Sequence, residues 1–242
     1  MLENLKMFLC VLASALPALI YIPIIAGMPR KFNFPFILAG ILGGVLAGLS
    51  ILAFKLLIFK GAINPPSSET LSITVFISFI EAGLLEELFK ASFYTLVFWL
   101  FFEQNSKPVY LSNIVEESKN SKYYYLALGA FIGLGFGLME NIYYAFNTHS
   151  FRIVMDRVFT TIPAHMIMNM TFGFLRANKV NWVLALMASI LIHSIYDFFA
   201  LPSTLLGSIL VRSVLILGFG FCLWMGKNLL FSTTATVRNS HA

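Results

Sequence analysis

Charged residues are scarce in this chain. Asp, Glu, Lys and Arg together make up 11% of its 242 residues, whereas about 25% is usual for soluble proteins. Hydrophobic side chains account for 59% of the sequence. A chain with so little charge lacks the polar surface of a soluble globule, and this class of protein is excluded.

Cysteines and runs of basic residues are lacking as well. The two cysteines, Cys10 and Cys222, stand in apolar segments near opposite ends of the chain, which excludes a disulfide framework and a CxxC metal site. We expect both to be inert helix residues. The net charge of +5 comes from Lys and Arg scattered over short loops, and this scatter predicts no nucleic-acid partner.

Long apolar blocks dominate what is present. A helix needs about 20 apolar residues to cross a bilayer, whereas the strands of a transmembrane barrel alternate over about ten residues. The sequence therefore predicts an all-α polytopic helical bundle, a single integral-membrane domain over residues 1–242. Its seven predicted helices lie near residues 5–27, 36–59, 70–102, 123–147, 152–175, 180–200 and 204–231. An eighth helix results if the long third block is split near Glu81.

Basic residues are distributed unevenly between the two sides that seven helices define. One side receives Arg30, Lys31, Lys107, Lys119, Lys122, Arg176, Lys179, Lys227 and Arg238. The other receives Lys6, Lys60 and Arg152. Because cytoplasmic loops carry the excess of Lys and Arg, we expect a cell-membrane protein with its N-terminus outside and its C-terminus in the cytoplasm.

Glycine recurs every four residues in two of the predicted helices. The two trios are Gly40, Gly44, Gly48 and Gly129, Gly133, Gly137. Each trio lies on one helix face and allows a neighbouring backbone to approach closely. The pattern favours packing between helices of this chain over a ligand site or a dimer contact.

Ionisable residues also lie inside the apolar blocks, where each charge costs about 2.5–3.5 kcal/mol at the bilayer centre. They are Glu81, Glu86, Glu87, Lys90, Glu140, His165 and His193, accompanied by Arg157, Asp197 and Arg212. An isolated ion pair could serve only to hold two helices together. A dense cluster of acids and histidines indicates a functional site instead.

The spacing of these residues predicts that they converge. Pairs on one helix face, four residues apart, are Glu86 with Lys90, His165 with Asn169, and His193 with Asp197. Counted along the predicted helices, the acids and histidines all reach the outer half of the bilayer.

Two kinds of hydrolase chemistry fit such a cluster. Histidines and a glutamate can bind a divalent metal such as zinc, which activates a water while another carboxylate takes its proton. Without a metal, a buried glutamate can activate water directly while His or Asn side chains stabilise the oxyanion. The HExxH, GxSG and Gly-Asp signatures of zinc, serine and aspartyl intramembrane proteases are absent from the sequence.

Four segments resemble motifs of one known family, the PrsW family of intramembrane proteases. Residues 86–90 (EELFK) resemble its EExxK motif, and residues 135–144 (GFGLMENIYY) resemble its FxxxEN segment in a glycine-rich helix. Arg157 with residues 161–165 (TIPAH) resembles the third motif, and residues 193–198 (HSIYDF) resemble the fourth. Four motifs in order on separate helices make the resemblance specific.

The family belongs to a wider group with the CAAX prenyl endopeptidases and bacteriocin-processing or self-immunity proteins. Those relatives typically carry EExxxR, a histidine in the second motif and HxxxN in the last. Lys90, Glu140 and Asp197 depart from that pattern, so the PrsW family is the closer match. Within it, Ala164 replaces a glycine that often precedes the third-motif histidine.

The resemblance implies a multi-pass protease, with a motif-bearing core at about residues 70–200, that cleaves a membrane-anchored protein or peptide in the lipid bilayer. For some members the substrate is an anti-sigma factor cut on its extracytoplasmic side. The implied catalytic or metal-binding positions are Glu86, Glu87, Glu140, His165 and His193. We expect Glu86 or Glu87 to be the general base, and Zn²⁺, where one is used, to be bound by Glu140, His165 and His193. The expected supporting residues are Lys90, Asn141, Arg157 and Asp197.

Two other functions are compatible with intramembrane charges. An ion-coupled transporter uses them as relays, but it favours symmetric halves and broken helices, and the sequence shows no matching halves. A non-proteolytic scaffold or immunity-like protein could retain the fold without activity.

Overall fold

The computed structural model describes residues 2–26, 34–58, 71–103, 122–201 and 204–239. These residues form helices, and no strand occurs among them, which confirms the all-α prediction. We number the helices α1 (Leu2–Ala26), α2 (Phe34–Ile58), α3 (residues 71–103), α4 (Lys122–Thr148), α5 (Phe151–Phe159), α6 (Thr161–Ala177), α7 (Trp182–Ala200) and α8 (Leu205–Asn239). Cys10 is buried in α1, whereas the side chain of Cys222 lies outside the described part of the chain.

Five stretches of the described residues are long and apolar enough to cross a membrane. They are Leu5–Ile25, Phe34–Ile58, Lys122–Thr148, Phe151–Ala177 and Trp182–Ala200, with a shorter apolar helix at Leu205–Phe221. Large side chains such as Leu19 and Leu57 are exposed on the outside of the bundle, as expected for a surface that faces hydrocarbon. The chain is a helical membrane protein, while the count of seven or eight helices and the orientation of the termini stay predictions.

Helix α4 is the centre of the bundle and packs against α2 on one side and α6 on another. The glycine trios make these contacts. A Cβ on Gly44 would lie 2.6 Å from the Phe136 nitrogen, and a Cβ on Gly133 would lie 2.6 Å from the Cα of Met166. Neither helix pair could approach as closely with larger residues at these positions, so the predicted packing role of the glycines is confirmed.

Helix α3 changes its hydrogen-bonding pattern along its length. It is α-helical over Leu71–Phe76, π-helical over Ile77–Glu86, α-helical over Glu87–Phe98 and π-helical over Trp99–Glu103. The helix continues through Glu81, the residue near which the sequence allows a split. At Gly83 the helix touches α7, because a Cβ there would meet the Ser194 hydroxyl oxygen. This approach brings the acidic pair of α3 to α7.

A break separates α5 from α6 inside the block that the sequence predicts as one helix. Thr160, the residue between them, has φ −119° and ψ −69°, which depart from the angles of a regular α-helix. Pro163 explains the break, since proline has no N–H to donate to the carbonyl four residues earlier and its ring crowds that carbonyl. The break places Arg157 at the end of one helix and His165 near the start of the next, so that both can reach α4.

Candidate functional site

The acidic pair of α3 lies inside the bundle with its lysine. Glu86 is 8% exposed, Glu87 is 2% exposed and Lys90 is completely buried. Glu87 Oε1 forms an ion pair with Lys90 Nζ and accepts a hydrogen bond from His193 Nδ1 at 2.7 Å. Glu87 therefore joins α3 to α7 and compensates the charge of Lys90.

Lys90 also fixes His165 on α6. Its ammonium donates to His165 Nδ1 at 3.2 Å and lies 4.4 Å from the centre of the Phe136 ring. Because an ammonium group only donates, Nδ1 must accept, and the proton of a neutral imidazole is then on Nε2. That nitrogen donates to Glu140 Oε2 at 2.8 Å. The hydrogen bonds thus select one tautomer of His165.

Glu140 on α4 connects His165 to the short helix α5. Its Oε2 lies 2.7 Å from Arg157 Nη2, and the Arg157 guanidinium lies 3.8 Å from the centre of the Tyr144 ring. The next residue, Asn141, is fully buried and its amide donates to the Val154 carbonyl at 3.4 Å. Asn141 therefore ties α4 to the helix that carries Arg157.

His193 on α7 faces acidic side chains from both of its nitrogens. While Nδ1 donates to Glu87, Nε2 lies 3.3 Å from Asp197 Oδ2 and 3.9 Å from Glu86 Oε2. The rings of His165 and His193 lie close together, with centroids 5.2 Å apart and an interplanar angle of 82°. Residues from α3, α4, α6 and α7 thus meet at one place in the bundle.

The donor set fits a divalent metal ion. Ligand atoms of Glu86, His165 and His193 lie within 4.8 Å of one another, and two histidines with one glutamate form a known set for catalytic zinc. The hydrogen bond from His193 Nδ1 to Glu87 has the arrangement common in metal sites, since the other nitrogen is left to face the ion. His165 would exchange one of its two hydrogen bonds for the metal.

This set differs in one member from Glu140, His165 and His193, the ligands expected from the sequence. Glu140 lies beyond His165, where it accepts from that histidine and pairs with Arg157. The assignment of ligands and of catalytic roles among these residues stays a prediction. Three further residues were considered from the sequence. Asp197 lies beside His193, and Asn169 donates to the His165 carbonyl within α6 at 3.1 Å. Arg212 is exposed on α8.

Lys55 on α2 belongs to the site although sequence reasoning missed it. Its ammonium lies 3.1 Å from Glu81 Oε1 and 3.5 Å from Glu86 Oε1. A single lysine inside the apolar block at residues 36–59 was the signal that could have identified it. Because Lys55 is near the end of that block, the sequence is equally compatible with a lysine whose ammonium reaches the membrane surface.

Comparison with known proteins gives one match. The family model described as PrsW family intramembrane metalloprotease matches residues 33–225. No curated protein and no solved structure matches significantly. The matched range covers most of the chain and contains every residue of the site described above, including Lys55.

Proposed function

Since the chain belongs to the PrsW family of intramembrane metalloproteases, we propose that it hydrolyses a peptide bond of a membrane-anchored protein with water activated at Glu86. The observation that carries this proposal is the convergence of Glu86, His165 and His193, from three helices, within 4.8 Å. A carboxylate and two imidazoles so placed in an apolar bundle can take up, hold and return a proton during hydrolysis.

The two neighbouring glutamates have different parts in this proposal. Oε1 of Glu87 is committed to Lys90 and to His193 Nδ1, so Glu87 orients His193. Glu86 Oε2 lies 3.9 Å from His193 Nε2, the longest of the ion-pair distances in the site. Glu86 is therefore the carboxylate better placed to receive a water proton or to bind a metal.

A zinc ion held by Glu86, His165 and His193 would activate a bound water and polarise the substrate carbonyl. In that case Glu86 is a ligand. Without a metal, Glu86 takes the proton of the attacking water and returns it to the leaving amine. In both cases Glu87 holds His193 through Nδ1, and His165 keeps at least one of its contacts with Lys90 and Glu140, so most of the same residues are required. Cleavage on the extracytoplasmic side is an expectation that comes with the family resemblance.

The function is tested by replacing His193 with Asn. The Asn amide can still donate to Glu87 in place of Nδ1, but the atom that faces Glu86, Nε2, is lost. We expect His193→Asn to lower cleavage by at least about 10²-fold, as for loss of one transition-state donor. The measurement is the rate at which new N-termini appear in a panel of tagged single-span proteins reconstituted with the purified chain in liposomes.

The matched control is His149→Asn. His149 is exposed between α4 and α5 and has φ 47°, a backbone conformation that Asn tolerates well. This variant is expected to cleave at the wild-type rate. Equal cleavage by wild type and His193→Asn would refute the assigned site, and no cleavage of any panel member by wild type would refute the proposed function.

Zinc content distinguishes the two ligand sets. If Glu86 is the carboxylate ligand, purified wild type and Glu140→Gln each retain about one zinc per chain, whereas Glu86→Gln loses it. Elemental analysis of the three folded proteins measures this. The reverse result, with zinc lost from Glu140→Gln alone, would establish the ligands expected from the sequence. Active wild type without metal would leave Glu86 as the general base.

A further inference from the structure

Lys55 lies outside the segments that carry the four motifs, yet its side chain turns toward the site. The neighbouring residues Leu56 and Leu57 are 48% and 79% exposed on the outer surface of α2, whereas the Lys55 side chain is 19% exposed. A lysine in an apolar helix needs a partner or a function to offset its insertion cost. Its partners are the two acids of the π-helical segment of α3.

The two carboxylate oxygens of Glu86 have different partners. Lys55 Nζ lies 3.5 Å from Glu86 Oε1, and His193 Nε2 lies 3.9 Å from Glu86 Oε2. Because one oxygen is held by the ammonium, the other faces the two histidines. Rotation of the carboxylate would break the Lys55 contact, so Lys55 restrains the orientation of Glu86.

Glu81 holds Lys55 in place from the other side, at 3.1 Å. Glu81 and Glu86 are five residues apart, a separation that an α-helix turns through about 140°. In a helix with i→i+5 hydrogen bonds, residues five apart follow one another along the same face. The π-helical segment Ile77–Glu86 therefore lets one lysine contact both acids.

We propose that Lys55 is a positioning residue for the proposed hydrolysis: its ion pair with Glu86 Oε1 directs Oε2 toward His193 and His165, while Glu81 anchors the lysine. This inference rests on the proposed function and adds a residue of α2 to the site. Lys55 acts through Glu86 and has no part in the proton transfer itself. A purely structural ion pair would affect the stability of the bundle but not the rate of the chemical step.

The experiment compares Lys55→Met, Lys55→Arg and the control Lys122→Met in the same liposome assay, with the panel protein that wild type cleaves. Lys122 donates to Asn178 at 2.6 Å and lies on α4 about 27 Å from Glu140 along the helix. We expect Lys55→Met to lower kcat about 10- to 100-fold with KM nearly unchanged, as for loss of a residue that orients a ligand. Lys55→Arg should restore most of kcat, and Lys122→Met should match wild type.

Zinc affinity gives a readout that does not depend on cleavage. Titration of the detergent-purified proteins with zinc should show weaker binding by Lys55→Met than by Lys55→Arg if Glu86 is a ligand. In the Glu86→Gln background, Lys55→Met should lower the residual cleavage no further, because the residue through which Lys55 acts is already lost.

The outcomes separate this inference from the proposed function. If wild type cleaves and folded Lys55→Met has the same kcat, the inference about Lys55 is overturned but the proposed function is not. Absence of cleavage by wild type would overturn the proposed function and the inference together. If Lys55→Met does not fold, as judged by gel filtration, Lys55→Gln replaces it, and equal kcat values for the Gln and Arg variants would overturn the inference.

Discussion

Replacing Glu86 with Gln is expected to lower cleavage by about 10³-fold or more while the protein remains folded. Glutamine keeps the size of the side chain but can neither take a proton from water nor serve as an anionic ligand, and general-base catalysis alone contributes about 10² to 10⁴-fold. The Glu86 Oε2 contact is also the longest ion-pair distance in the site. Loss of the Glu86 carboxylate is therefore expected to disturb the fold less than loss of the Glu87 carboxylate would.

The measurement is the single-turnover rate of the purified protein in liposomes, with gel filtration as the test of folding. The matched control is Glu103→Gln, the same substitution at the last residue of α3, and it is expected to retain the wild-type rate. Should Glu86→Gln keep more than about a tenth of wild-type activity, Glu86 would be neither general base nor essential ligand. Glu87 or Glu140 would then have to supply the carboxylate.

Much of the fold and of the site can be predicted from the cost of burying charge. Intramembrane charges are expensive, so residues such as Lys90 and Glu140 already indicate a cluster within the apolar blocks. Helical periodicity then places Asp197 on the same face as His193, one turn away, and the structure has them 3.3 Å apart. The glycine trios similarly identify which faces of α2 and α4 pack closely.

The pairing of side chains between helices is what periodicity cannot provide. A sequence in which Glu86 and Glu87 are neighbours does not show which of them His193 Nδ1 will contact, because this depends on the rotation of α3 against α7. That rotation is set by the π-helical segment and by the close approach at Gly83. Sequence reasoning based on 3.6 residues per turn therefore left both glutamates as candidates for the general base and did not include Lys55.

Replacing Lys90 with Met is expected to destabilise the folded bundle by about 3–5 kcal/mol, the usual cost of removing one member of a buried ion pair. Lys90 is fully buried and compensates Glu87 while donating to His165. Methionine fills a similar volume but leaves a buried carboxylate and an imidazole nitrogen without their cationic partner. For a chain of this size the apparent melting temperature should fall by about 6–20 °C.

The double variant Lys90→Met with Glu87→Gln separates the electrostatic role of this pair from its role at the site. Removing both charges should recover most of the lost stability, because neutralising a buried pair costs much less than breaking it. The melting temperature in detergent measures this recovery, with Lys122→Met as the control. A double variant as unstable as Lys90→Met would refute the argument that the two charges compensate each other. Cleavage should remain low in the stable double variant, because His165 Nδ1 loses the hydrogen bond from Lys90 that selects its tautomer and His193 loses the carboxylate that orients it. Recovery of stability without recovery of cleavage would show that Lys90 and Glu87 compensate each other's charge in the folded bundle, and that the chemistry also needs the contacts that the two residues make with His165 and His193.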